Sequence, residues 1–504
     1  MSATIDSTPA KTRPSESEKK VESHQAAGAD RVEIEHSEIV GDGILPIVAK
    51  DKVDEFGGHA KVDPQEIALV KRLDLYMLPI LWIMYFFNLL DRNALFNAKL
   101  NTLDADLGLQ GTQYNTLVGI LNVGYIAGQI PSNMIINRVR PSLYMGSFCV
   151  LWSIICTLTF LAKNFNHMLA FRLLLGFAEA PFYPGALYLL SCFYTRKEVA
   201  TRMAIFYTGN MLAASFSGLI AAAVFSTMDG RYGMAGWRWL YIIQGSLSFG
   251  VGVASFFFLP NHPLKTKWLS QEQREMAHNR IVADTTEKEG NVSPWKGLYQ
   301  CVVDWRTWVF VIMYNLHLSS VSFAAFLPTV MYTLGFSRNI TLVITFPPYF
   351  LAAIFGILMS VSSGRYNERT WHITVLKGIV IAGFVLAVST TNVPARFVAI
   401  FMFVPFSFGI NNIMLGWIAA TLGQTNEKKA VALALCNSFG NLNGIYTAYL
   451  WPDSDGPRFM MGFLSCMAFS AVVIMITWFM KFTLRRQNKR ILREDPTAIS
   501  LYVY

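Results

Sequence analysis

Apolar runs of about 20 residues, the length needed to cross a hydrocarbon core of about 30 Å, recur twelve times along the chain. They centre on 75–96, 113–136, 142–162, 167–190, 202–226, 238–259, 308–333, 341–361, 372–390, 395–418, 430–451 and 459–482. Most are apolar around the whole helix rather than along one stripe, which reads as membrane spans and not as surface helices. The pattern predicts an all-α membrane protein of twelve transmembrane helices in two six-helix bundles, 71–260 and 307–482, joined by a polar stretch at 261–306. Within that stretch "WLSQEQREMAHNRIVAD" predicts a short surface helix with Ser270 as its N-cap. Residues 1–70 are rich in Ser, Glu, Lys and Asp and cannot bury enough apolar area to fold, so they are expected to be a disordered tail. Residues 483–504 form a second tail, and no apolar segment at the extreme N-terminus suggests a cleavable signal peptide.

Composition agrees with this pattern. Of 504 residues 53% are hydrophobic and 15% charged, against about 25% charged in soluble domains. The net charge of +9 could suggest nucleic acid, but its placement argues otherwise. With the N-terminus inside, the inner loops hold Arg138, Arg140, Arg196, Lys197, Arg202, Arg365, Arg369, Lys428 and Lys429, while most outer loops hold a single base. That asymmetry places both termini in the cytoplasm and assigns the basicity to topology and anionic lipid. The six cysteines show no paired spacing, so neither a disulfide framework nor a metal site is expected. No phosphate-binding G-x-x-x-x-G-K-[ST] loop and no H-E-x-x-H motif is present, so the chain reads as neither a pump nor an enzyme, with no cofactor.

The informative residues are the charges inside the spans, each costing about 2.5–3.5 kcal/mol at a bilayer centre. They are Asp91 and Arg92 in "FFNLLDRNALFNA", and Arg172 and Glu179 in the fourth span. Counting at 1.5 Å per residue sets Arg172 level with the Asp91–Arg92 pair, and Glu179 about 10 Å deeper, beyond an arginine's comfortable reach. Asp91 is therefore expected to work with Arg172, either as a static pair or as part of a site. A buried carboxyl such as Glu179 can take up and release a proton. The planar fork of Arg92 suits an organic anion, and Asp91 lies about 100° away around the same helix. Pro181 and Pro184 should bend the fourth span just after Glu179. The second half offers amides instead: Asn315, Asn411, Asn412, Asn437, Asn441 and Asn443 with His317, and "NSFGNLNG" reads as a wall of a site that includes Asn437. Lys377 is expected to snorkel to a membrane surface.

Taken in order, "LDRNALFNA", "GYIAGQIPSN", "RLLLGFAEAPFYPG", "TRKEVATRMAIFYTGN" and "WPDSDGPRFMMGF" resemble the anion:cation symporter family of the major facilitator superfamily, and within it the fungal allantoate permease group. The resemblance runs from about residue 70 to 482. It implies the major facilitator fold and proton-coupled symport of a small organic anion, such as allantoate, nicotinate, pantothenate or a related acid. Residue by residue it implies that Asp91 and Glu179 carry protons, with Arg172 alongside, while Arg92 holds the substrate carboxylate. Tyr125, Asn210 and Asn437 would complete the binding site. The resemblance further implies a monomer in the plasma membrane, with organic anion, protons and lipid as its partners. Departures matter as well: the loop "NMIINRVRPSLYMG" lacks the acidic residue of the superfamily signature, and Leu89 replaces a tyrosine usual in sugar-acid carriers, which favours a less polar anion. An exporter of a secondary metabolite and a non-transporting nutrient receptor are the competing readings.

Overall fold

The computed structural model describes residues 63–136, 139–266, 268–285, 294–366, 368–422, 426–494 and 502. The first helix, α1 (Pro64–Ala98), begins where Asp63 accepts a hydrogen bond from the Gln65 amide and Pro64 occupies the first turn, both ordinary start signals. The polar tail expected at 1–70 therefore gives way to helix by Pro64, and its earlier residues lie outside the described ones. After α2 (Leu103–Leu107) come α3 (Gln113–Ile136), α4 (Pro141–Leu158) and α5 (Phe165–Glu179). The chain then runs through α6 (Phe182–Phe193), α7 (Arg196–Met228) and α8 (Gly236–Phe258). Between the halves lie α9 (Gln271–Thr285) and α10 (Pro294–Val303), the second of which the sequence pattern misses. The second half holds α11 (Trp305–Ser319), α12 (Leu327–Tyr332), α13 (Arg338–Ile344), α14 (Phe346–Arg365) and α15 (Thr370–Ser389). It continues with α16 (Val393–Thr421), α17 (Asn426–Asn441), α18 (Asn443–Tyr446) and α19 (Met460–Glu494). No β-strand occurs among the described residues.

Among the described residues, ten helical stretches are long and apolar enough to cross a membrane. The other two expected spans coincide with α3 and with α17–α18, richer in Gly and Asn and hence less apolar. The fold is thus all-α, with room for twelve crossings. α19 extends to Glu494, twelve residues past the expected end at 482, because its polar last turns still bury Leu484 and Asn488. α9 begins with a reciprocal cap: Ser270 accepts from the Gln273 amide at 3.3 Å, and the Gln273 side chain accepts from the Ser270 amide at 3.4 Å.

Glycines set the closest helix crossing. A Cβ on Gly176 of α5 would collide with the Leu121 carbonyl of α3, and one on Gly124 of α3 with the Leu173 carbonyl of α5. The two backbones touch, and every side chain beside the crossing is fixed in direction.

The end of the molecule where α1 finishes is termed distal here, and the other end proximal. At the distal end the halves are tied together. Lys99 pairs with Asp453 at 2.7 Å, and the Asn115 side chain donates to the Ala448 and Trp451 carbonyls at 2.6 and 3.1 Å. Ser215 donates to the Phe346 carbonyl at 3.1 Å. At the proximal end α9 is clamped to the first half: Arg280 pairs with Glu198 at 2.7 Å and Glu66 at 3.3 Å, and Trp268 stacks on Tyr76.

Candidate functional site

Arg92 forms an ion pair with Glu179 through its Nε, and its guanidinium lies over the Tyr125 ring, 4.5 Å from the centroid. This corrects the sequence-based expectation that Glu179 lies too deep for an arginine. Side chains lean toward the N-terminus of their own helix. α1 and the fourth span run in opposite directions, so Arg92 leans proximally and Glu179 leans distally, and the two converge.

The same lean separates Asp91 from Arg172, whose expected partnership the structure does not contain. Asp91, fully buried, accepts a hydrogen bond from Ser248 of α8 at 2.7 Å, and its other oxygen has no hydrogen-bond partner. It faces Trp152 and Cys156 of α4. Arg172 turns toward α3, donating to the Leu117 carbonyl at 3.4 Å with Tyr114 and Tyr241 nearby, and its Nη1 has no partner. Burial of an ion without a matched counter-ion costs several kcal/mol, which the packing of the rest of the fold must offset.

Exposure gives the Arg92–Glu179 pair its direction. The Arg92 side chain is 19% exposed and Glu179 not at all. The guanidinium is thus the accessible member of the pair and the carboxylate the enclosed one. Glu179 is paired through the Nε edge of the guanidinium, and the Nη atoms lie outside that pair. The second oxygen of Glu179 has no hydrogen-bond partner. Glu179 ends α5, and α6 starts at Phe182, so the two prolines interrupt the span just beyond the carboxylate.

Around this pair the structure gathers residues that charge counting cannot find. Tyr125 faces Gln129, whose amide oxygen accepts from Ser438 of α17 at 3.1 Å, a polar link between the halves. Asn437 adjoins that link, and its side-chain oxygen accepts from Asn441 at 3.4 Å. Asn210 lies beside Tyr207, and Tyr207, Tyr183 and Tyr125 face Tyr314 of α11, which donates to Asn411 at 3.0 Å. Arg92, Glu179 and Tyr125 are thus in direct contact, Asn210 and Asn437 join through neighbours, and Asp91 and Arg172 stand apart. The tyrosines carry no charge and are common in spans, so only Gln129, Tyr183 and Tyr207, inside motifs already singled out, had a signal in the sequence.

Lys377 does not snorkel. It is fully buried, and its ammonium donates to the hydroxyls of Ser320 and Ser470. All six cysteines are free.

A family model described as Major Facilitator Superfamily matches residues 81–448, more than half of the chain. The major facilitator-type transporter hxnP of Emericella nidulans is 28% identical over 443 residues, covering 86% of this chain and 89% of that protein. The high-affinity nicotinic acid transporter of Saccharomyces cerevisiae is 26% identical over 439 residues, covering 87% and 81%. Among solved structures, a bacterial homolog of the human lysosomal transporter Spinster, inward-facing and occupied, aligns with a TM-score of 0.62 at 14% identity. That alignment covers 84% of this chain and 99% of that one.

Proposed function

The chain belongs to the Major Facilitator Superfamily, and from that premise we propose that it is a secondary active transporter coupling a proton to a small organic anion. The observation that carries this reading is the position of Arg92 between a buried carboxylate and a partly exposed front. An anion arriving on the Nη fork competes with Glu179 for one positive charge. Two carboxylates on one guanidinium leave an excess negative charge in a low-dielectric site, and a proton on Glu179 removes it. Anion and proton therefore occupy the site together, which is symport. The charge of Asp91, turned toward Ser248, would exchange its own proton at a distance from the substrate.

The substrate class follows from the same residues. Arg92 supplies one carboxylate anchor, while Tyr125, Tyr183 and Tyr207 supply flat apolar faces with polar tips, and Asn210 and Asn437 supply neutral hydrogen bonds. That lining suits a compact, largely planar carboxylate, and the name of the nicotinic acid transporter relative supports it. With both termini in the cytoplasm of a plasma-membrane monomer, the tied distal end is the outer one, and the site faces inward.

Uptake of labelled nicotinate, pantothenate and allantoate by a permease-deficient fungus expressing the chain tests the proposal. One of these acids should accumulate, faster at acidic than at neutral outside pH. Export of the acids, or uptake indifferent to pH, would contradict it.

A further inference from the structure

The second half buries a cation for which the anion site has no use. Lys377 of α15 is fully buried, and the hydrogen bonds of its amine go to two hydroxyls, Ser320 of α11 and Ser470 of α19. The titratable groups facing it are His317 of α11 and Cys466 of α19. The helices around it, α11, α16 and α19 as far as Met480, contain no Asp or Glu, and the sole basic residue of α16 is Arg396 near its first turn. For merely joining helices methionine would serve at less cost, because a buried ammonium without a counter-ion costs several kcal/mol. Lysine, unlike arginine, can also be carried without its proton.

Its location gives that proton a consequence. α11 stops at Ser319, and Ser320, the residue that Lys377 holds, caps it and donates to the His317 carbonyl at 2.6 Å. The chain then passes through a short 3₁₀ turn, Ser322–Ala325, before α12 resumes the span. A charged ammonium is favoured at that C-terminal end of α11, where the helix dipole is negative. Two residues beyond Ser320, the Ser322 hydroxyl accepts from the Trp451 indole at 3.2 Å, and the Trp451 carbonyl accepts from Asn115 of the other half. An unbroken set of contacts thus runs from the Lys377 amine, through the break in the seventh span, to the distal tie between the halves. On the opposite side, His317 and Tyr314 occupy successive turns of one α11 face, with ring centroids 6.4 Å apart, and Tyr314 faces the tyrosines around Arg92.

We propose that Lys377 is a further protonation site, separate from the anion site, and that its charge state holds or releases the distal tie through Ser320. The ammonium, seated on the end of α11, keeps the tie shut. Loss of its proton to solvent leaves a neutral amine, weakens the cap and lets the break between α11 and α12 move. This inference does not depend on the role assigned to Glu179.

The test uses the full chain in lipid nanodiscs, with spin labels carried by unnatural residues at positions 226 and 339, exposed on the distal parts of α7 and α13. In the wild type the short distance should dominate at acidic pH, and a longer one should grow as pH rises. Lys377→Arg should stay short at every pH and Lys377→Met long at every pH, whereas Glu179→Gln should respond like the wild type. Lys377→Gln, with the same expected outcome as Met, serves if the methionine variant does not insert. A titration like the wild type's in either Lys377 variant, or one common distance in both, would overturn the proposal; the first result would also reassign the response to His317.

Discussion

Arg92 and Glu179 meet because they lean toward each other along antiparallel helices, the guanidinium reaching proximally from α1 and the carboxylate distally from the end of α5. The consequence is one positive charge with a buried anion behind it and a partly exposed fork in front.

That fork is the basis of the first prediction. Arg92→Lys keeps the charge and the pairing with Glu179 but offers no planar pair of donors. Apparent affinity for the transported acid, read as the uptake KM, should weaken roughly 10- to 100-fold, the worth of one charge-assisted hydrogen bond. Expression and melting temperature in detergent should stay close to those of the wild type.

Tyr125 acts through its ring face. Tyr125→Phe should leave the KM near that of the wild type, whereas Tyr125→Leu removes the cation–π contact of about 0.5–2 kcal/mol and should raise it several-fold. Equal losses in both would mean that the hydroxyl toward Gln129, not the ring, is what matters.

Asp91 discriminates between the two geometries. A partnership with Arg172 would make Asp91→Asn cost about 3–5 kcal/mol, because a buried guanidinium would lose its counter-ion. With Ser248 as its hydrogen-bond partner, an amide replaces the carboxylate at no such cost. The Asp91→Asn protein should melt at or above the wild-type temperature while its transport is altered.

The sequence announces these four charges but not their pairing. Span positions follow from apolar runs, and the interruption after Glu179 follows from Pro181 and Pro184, both local properties. Depth counted along separate helices ignores the opposite lean of antiparallel side chains, so counting matches Asp91 to Arg172 and leaves Glu179 without a partner. Lys377 misleads for a related reason: distance from a helix end does not reveal whether a side chain faces lipid or neighbouring helices. Tyr183, Tyr207 and Tyr314 converge through the packing of three helices, which no single segment encodes.

Asp304 supplies a pH prediction outside the membrane spans. Burial pushes its carboxyl up, but hydrogen bonds from Arg306 and Lys428 outweigh burial and lower it from 3.8 to about 2. A carboxylate lowered in the folded state stabilises above its unfolded value and loses that contribution as pH falls through the folded one. Melting temperature should therefore decline between about 3.8 and about 2, and Asp304→Asn should be less stable at neutral pH and lack this portion of the acid decline.

The coupling claim rests on Glu179, and the most direct measurement is transport by Glu179→Gln in proteoliposomes. The substituted amide retains a hydrogen bond to Arg92 but cannot exchange a proton, so exchange of labelled for unlabelled acid should persist while accumulation driven by a proton gradient disappears. Gradient-driven accumulation at the wild-type level by this variant would contradict the account.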